Sequence, residues 1–240
     1  MSWLSIVGLG YLGAGHVTPE TLDRIRSADK LLYLGADSAT RYWLEERNPS
    51  AESLHDAYAS GKHRLTSYEE MIARMLDPVR EGRSVCAAFY GHPGVFVYPS
   101  HEAIRRGRAE GLEAEMLPAV SAEDCLYADL EIDPASRGCA SYEATDFIVR
   151  PRCFDASSAL ILWQVGAIGV VTYEKDRLWN RRGIEVLTEI LLERYPAEHE
   201  VIVYEAATLA LFDPVIVRTA LARLPDAPVT VESTLYIPPL

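Results

Sequence analysis

Val85-Cys86-Ala87-Ala88-Phe89 runs directly into Tyr90-Gly91-His92-Pro93-Gly94-Val95-Phe96-Val97-Tyr98-Pro99-Ser100-His101, and this junction carries the fold class. Five apolar residues in a row fit a strand buried on both faces of a parallel sheet. Gly91 and Gly94 flank a proline, so the backbone can turn sharply and a ligand can come close to it. Pro99 suits the first turn of the following helix, where its missing N–H costs nothing. A strand, a glycine turn and a helix start in this order mark the carboxyl end of a strand in an α/β protein, a place where small ligands are held. An ordinary strand-turn-helix connection looks the same, so the turn alone names no ligand.

The alternation of strand and helix continues on both sides. Leu4–Val7 reads as a strand ending in Gly8-Leu9-Gly10-Tyr11-Leu12-Gly13, the spacing of a dinucleotide fingerprint. The next helix is expected later, with Thr18 as N-cap and Pro19 at its first position, so the glycines do not open a helix N-terminus as a pyrophosphate cradle requires. Asp37, after Leu31-Leu32-Tyr33-Leu34, looks as much like a helix cap as a ribose-binding acid. Nicotinamide binding is therefore disfavoured. Further strands are expected near 85–89, 113–117, 159–163, 200–204 and 229–237. Helices are expected near 19–28, 38–47, 67–82, 99–110, 121–129, 183–195 and 214–223. Ser67 with Glu70, and Ser121 with Asp124, have capping-box spacing, and Pro78 predicts a kink or an early stop. Leu117-Pro118-Ala119-Val120 suggests a junction between an N-terminal α/β domain, 1–117, and a second α/β domain, 118–240.

The 240 residues carry a formal net charge of −12, without the basic footprint that nucleic acid or an anionic membrane would call for. Arg105-Arg106-Gly107-Arg108 fits a solvated helix face. Cys86, Cys125, Cys139 and Cys153 lie far apart with no CxxC pair, so neither a zinc site nor any other metal site is suggested and a reducing setting is the simpler one. The apolar run 159–171 is broken by Gln164 and too short to span a bilayer. A soluble, cytoplasmic protein is expected.

No nucleophile elbow, P-loop or HExxH is present. The segment 55–68, rich in aromatic and basic groups and poor in hydrophobic periodicity, reads as a functional loop. Within it Tyr58, Arg64 and Tyr68 could act together, because a guanidinium beside a phenol lowers its pKa and makes it a usable base. The competing reading is that both rings pack and Arg64 pairs with an exposed acid. Gln164 at the end of an apolar strand, and Ser233-Thr234 near the C-terminus, must hydrogen-bond either to backbone or to a polar ligand.

The chain resembles the tetrapyrrole methylase superfamily of S-adenosylmethionine (SAM)-dependent methyltransferases, and within it the borosin peptide backbone α-N-methyltransferases. The likeness is carried by Ile6-Val7-Gly8-Leu9-Gly10, Ala28-Asp29-Lys30, Gly61-Lys62-His63-Arg64 with Tyr68, the turn from Tyr90 to Ser100, Met116-Leu117-Pro118, the stretch from Ser121 to Leu130, Ile132-Asp133-Pro134, Gln164-Val165-Gly166 and the stretch from Ser233 to Pro239. The resemblance implies a two-domain α/β fold with SAM in the interdomain cleft and S-adenosylhomocysteine as product. It implies cofactor contacts at Tyr90, His92, Val95, Ser121, Ala122, Gln164, Ala206, Ser233 and Thr234. It also implies catalytic roles for Tyr58, Arg64 and Tyr68.

His55 and Ala57 stand where fused fungal relatives often have tyrosines, so the peptide-facing wall is expected to differ. The sequence ends at Leu240, after the Ile-Pro-Pro strand, where fused borosins run on into the peptide they methylate. A split arrangement is therefore expected, in which a separate precursor peptide is methylated in trans by a homodimer, or in a heterotetramer with two precursors. The alternatives are a C-methyltransferase of a cobalamin-type tetrapyrrole, whose carboxylates would want an Arg- and Lys-lined cleft, and a non-catalytic SAM-binding partner protein.

Overall fold

The computed structural model describes residues 2–35, 37–150, 152–174 and 179–240. The chain forms two compact units: residues 1–125 with 172–175 and 207–212, and residues 126–171, 176–206 and 213–240.

In the first unit, β1 (Trp3–Gly8), β2 (Lys30–Leu34), β3 (Glu52–Ser53), β4 (Val85–Phe89) and β5 (Glu113–Met116) form a parallel sheet in the order β3-β2-β4-β1-β5. The sheet lies between helices. α1 (Pro19–Ser27) and α2 (Ser38–Arg47) bring Ile25 and Leu44 against Val7, Leu31, Tyr33, Cys86 and Ala88. On the other face α3 (Arg64–Arg80) and α4 (Tyr98–Ala109) bring Met71, Met75, Leu76, Ala103 and Ile104 against Leu4, Ile6, Leu32, Val85, Ala87 and Phe89. The wholly apolar strands thus still obey a period of two, each alternate residue serving one helical layer. The predicted starts of α1 and α2 are borne out: Thr18 and Asp37 accept backbone N–H bonds as N-caps.

The α3 start departs from the capping-box expectation. His63 is the N-cap, its Nδ1 accepting from Leu65 N at 3.2 Å, and Ser67 lies inside the helix, fully buried with its hydroxyl unpaired. α3 runs through Pro78 and stops two residues later. At the next helix, α5 (Ala122–Asp129), the predicted box is present: Asp124 Oδ2 accepts from Ser121 N, and Ser121 Oγ from Asp124 N. The unit boundary falls between Cys125 and Leu126, within α5, rather than after Leu117. Leu117 is still bonded to Ile6 of β1 and buried in the first core, and Ala119 packs against Gly8, so the chain has not left that unit at Pro118.

The second unit holds α6 (Pro134–Arg137), β6 (Cys139–Glu143), α7 (Ala144–Val149), β7 (Ala159–Trp163), α8 (Arg181–Leu192), β8 (Glu200–Glu205), β9 (Val215–Ala220) and β10 (Thr234–Ile237). Its sheet order is β6-β7-β10-β8-β9, with only β6 and β7 parallel. Ile184, Leu187 and Leu191 of α8 pack on Leu160, Leu162, Val201, Val203 and Leu235. The helix expected over 214–223 is absent. Val215-Ile216-Val217-Arg218-Thr219-Ala220 is rich in β-branched residues and pairs with β8 along its whole length, giving an edge strand followed by a 3₁₀ turn, Leu221–Asp226. The strand expected over 229–237 keeps only its second half, because Thr230–Ser233 closes as a turn. Among the described residues no helix is long and apolar enough to cross a membrane.

Candidate active site

In the first unit, α1 follows β1 onto one face of the sheet and α4 follows β4 onto the other, while β1 and β4 are neighbours. Their carboxyl ends therefore form a topological switch point, where loops leave the sheet in opposite directions. The two loops meet there directly. Gly91 N donates to Gly10 O at 2.8 Å and Gly10 N to Gly91 O at 3.2 Å. A Cβ on Gly8 would lie 2.4 Å from both Gly91 O and Ala119 Cβ, so this glycine is required by close approach and not by a phosphate. Three more N–H groups of the loop are spent: Leu9 N on Phe89 O, and Tyr11 N and Leu12 N on His16 Nδ1. Burial holds the His16 imidazole below its ordinary pKa, which keeps it neutral and able to accept.

The turn after β4 is shaped by its own side chains. His92 Nδ1 accepts from Gly94 N at 2.9 Å, Val95 N donates to His92 O, and His101 Nε2 bonds Gly94 O at 2.8 Å. Phe96 is held left-handed at φ 56°, a conformation costly for an aromatic residue and concentrated at functional sites. Tyr90, Val95, Phe96 and Tyr98 form a partly exposed apolar rim.

Beside it stands an aromatic cluster. Arg64 opens α3 and Tyr68 follows one turn later, so both project from one helix face. The Tyr58 ring meets Tyr68 edge-on at 6.4 Å and stacks on Tyr173 at 5.0 Å, and Tyr68 lies 5.9 Å from Tyr98. Nothing in the linear order of residues marks Tyr173, which lies more than 100 positions from Tyr58. It arrives because Gly61 N donates to Tyr173 O, Tyr173 N donates to Lys62 O, and Thr172 bridges His63, an antiparallel clasp from far downstream in the chain. The base of the loop is pinned by Arg74, which bonds Asp56, Glu52 and the Ser53 carbonyl. Its guanidinium holds the Asp56 carboxyl below the usual range.

The expected effect of Arg64 on Tyr58 is corrected by this setting. Burial pushes the Tyr58 phenol well above its ordinary pKa, the neighbouring Tyr68 and Tyr90 phenols push the same way, and the Arg64 guanidinium opposes them without prevailing. The peptide-wall reading of 55 and 57 also changes: Ala57 is fully buried in the core, and the His55 ring bonds Gly35 O at 2.8 Å. His55 lines a pocket of about 280 Å³ at the carboxyl ends of β2 and β3, with Tyr33, Asp37 and Arg41.

In the second unit Gln164 follows β7 in a left-handed conformation, φ 58° and ψ 38°. Ser233 is fully buried and Thr234 nearly so. Ala206 directly follows β8. A group with the make-up of SAM needs hydrogen-bonding groups of both signs, an apolar wall and close backbone approach. Of that need, the first unit supplies an apolar rim in Tyr90, Val95, Phe96 and Tyr98, and the second unit supplies the amide of Gln164. Ser121 Oγ is committed to Asp124 and Ser233 Oγ to Glu205, whereas Gln164 is strained and bonds no side chain among the described residues. The pocket of about 430 Å³ lined by Ile132, Arg137, Tyr236 and Leu240 contains none of these residues.

The family model for tetrapyrrole (corrin/porphyrin) methylases matches residues 4–225. The chain is 43% identical over 240 residues to the methyltransferase/ribosomally synthesized cyclic peptide gymnopeptides precursor of Gymnopus fusipes, and 42% identical to the corresponding omphalotin A precursor protein of Omphalotus olearius. Each match covers 98% of this chain and 57% of the relative, so the chain spans little more than half the length of these proteins. Among solved structures it is similar to uroporphyrin-III-C-methyltransferase from Thermus thermophilus, at TM-score 0.72 and 20% identity over 99% of this chain and 92% of that one. It is equally similar to cobalt precorrin-4 methyltransferase, at TM-score 0.72 and 19% identity over 98% and 94%. With the sheet order, the switch-point loops and this nearly full-length match together, the chain belongs to the tetrapyrrole (corrin/porphyrin) methylase family.

Proposed function

We propose that this protein is a SAM-dependent methyltransferase that N-methylates backbone amides of a ribosomally made precursor peptide. The observation that carries the reading is the gathering of Tyr58, Arg64 and Tyr68 at one end of α3, beside the turn after β4. The relatives named above, which pair a methyltransferase with a cyclic-peptide precursor, support it.

An amide nitrogen is a poor nucleophile because its lone pair is delocalised into the carbonyl. Methylation therefore needs the N–H proton removed and the charge that moves onto oxygen stabilised. SAM, when bound, supplies an electrophilic methyl and leaves as neutral S-adenosylhomocysteine. Tyr58 is the proposed base, taking the amide proton on its phenolate oxygen. Arg64 stabilises the imidate oxygen and Tyr68 donates a further hydrogen bond. The raised pKa of Tyr58 makes its phenolate a stronger base and a scarcer one, so the rate should climb with pH. Donor contacts are assigned to Tyr90, His92, Val95, Ser121 and Ala122, and to Gln164, Ala206, Ser233 and Thr234. His92, Ser121 and Ser233 act chiefly by shaping the loops whose backbone meets the donor.

The precursor is read as a separate polypeptide methylated in trans by a homodimer. Mixing purified protein, SAM and a synthetic apolar precursor peptide, with mass spectrometry of the peptide, should give additions of one methyl mass each. Tyr58→Phe and Arg64→Ala should each lose about 10²-fold or more of this activity while still binding S-adenosylhomocysteine in calorimetry. Full turnover in both variants would remove the catalytic assignment, and methylation of a tetrapyrrole but of no peptide would move the protein to C-methylation.

A further inference from the structure

The three loops of the second unit that carry Gln164, Ala206 and Ser233 are held together by one carboxylate. Glu205 ends β8, half-buried and directly before Ala206. Its Oε1 accepts from Ser233 Oγ at 2.5 Å and from Thr230 Oγ1 at 2.6 Å. Ser233 Oγ in turn accepts from Thr230 N at 2.8 Å, which closes the Thr230–Ser233 turn ahead of β10. That turn interlocks with the loop after β7. Val165 N donates to Ser233 O at 3.1 Å, and a Cβ on Gly166 would fall 1.9 Å from Thr230 O, so no other residue fits there. The strained Gln164 immediately precedes this contact.

We propose that Glu205 is a positioning residue of the donor site: its single carboxylate oxygen fixes the Thr230–Ser233 turn, and through it the Gln164–Gly166 loop, in the arrangement that receives SAM. The inference rests on the function proposed above and names a residue that the motifs of that reading do not include. Two hydroxyl donors converge here on one acceptor atom, and removing it leaves both without their partner. Because both hydroxyls donate to Oε1, a glutamine amide oxygen can replace it. The role needs an acceptor at this position and not its charge.

The test is calorimetry with S-adenosylhomocysteine and steady-state kinetics with SAM on the full chain, with thermal melting to establish folding. Glu205→Ala should bind S-adenosylhomocysteine about tenfold more weakly or worse and raise KM for SAM while kcat changes little. Glu205→Gln should stay within about threefold of the wild type. Should Glu205→Ala fail to fold, Thr230→Val removes one of the two donors from an exposed position and should weaken binding by about threefold. Wild-type affinity in Glu205→Ala, or in Thr230→Val where that variant is used, overturns the proposal. So does a loss in Glu205→Gln equal to that in Glu205→Ala, which would make the charge itself the contact. Failure of the wild type to bind S-adenosylhomocysteine would instead sink the function on which the inference rests.

Discussion

The turn after β4 and the loop from His55 to His63 both belong to the first unit and both carry candidate site residues, yet they are built in opposite ways. The turn is closed by groups within a few residues: His92 on Gly94 N, Val95 N on His92 O and His101 on Gly94 O. Its distant backbone partners, Gly10 and Leu34, are delivered by the neighbouring strands β1 and β2. The loop has short local turns, Tyr58 N on His55 O and Lys62 N on Ala59 O, but its end is clasped by Thr172 and Tyr173, and its key ring, Tyr58, stacks on a residue from that remote segment. Local closure leaves a trace in the sequence as glycine, proline and histidine at fixed offsets. Remote closure leaves none.

The comparison breaks most readily at Gly8. Gly8→Val would drive a side chain into Gly91 O and Ala119 Cβ, both within 2.4 Å of its Cβ, at a cost of about 3 kcal/mol from overpacking. Urea unfolding should show the fall, and an unchanged midpoint would refute the interlocking of the two loops.

A second measurement addresses the loop through pH. The Tyr58 pKa is raised in the folded chain, chiefly by burial. Its contribution to stability is therefore complete below the unfolded tyrosine value near 10 and is lost as pH rises above that, where only the unfolded chain gives up the proton. If the phenolate is the base, single-turnover methylation should rise by about tenfold per pH unit up to about pH 10. A plateau near neutrality would show that Tyr58 does not supply the base.

Smaller effects separate the remote clasp from purely local signals. Tyr173→Leu removes the stacked partner and should cost about 0.5 to 1.5 kcal/mol, with a parallel loss of methylation that Tyr173→Phe spares. Equal behaviour of the two variants would mean that the stack does not position Tyr58. Thr18→Ala, outside both regions, removes the acceptor for Thr21 N at 3.1 Å and should cost about 0.5 to 1 kcal/mol with turnover unchanged. A large loss of turnover would tie α1 to the site.

What could be read from the chain alone follows this same division. The buried strands, the Thr18 and Asp37 caps, the Ser121–Asp124 box and the turn after β4 all depend on residues a few positions apart, and the sequence determined them. It also placed Tyr58, Arg64 and Tyr68 in one segment, though it put the start of α3 at Ser67. The true start at Arg64, with His63 as cap, is what sets Arg64 and Tyr68 one helical turn apart.

Tertiary structure alone decided that residues 215–220 pair along β8 instead of coiling, that Ala57 enters the core, that Tyr173 reaches Tyr58 and that Glu205 gathers Thr230 and Ser233. It also reversed the expected shift of the Tyr58 phenol. The physical reason is the range of the forces involved. Helix caps and alternating burial are set by the nearest covalent neighbours, whereas desolvation and strand pairing depend on which distant segments exclude water from a group, and the chain specifies that only when folded.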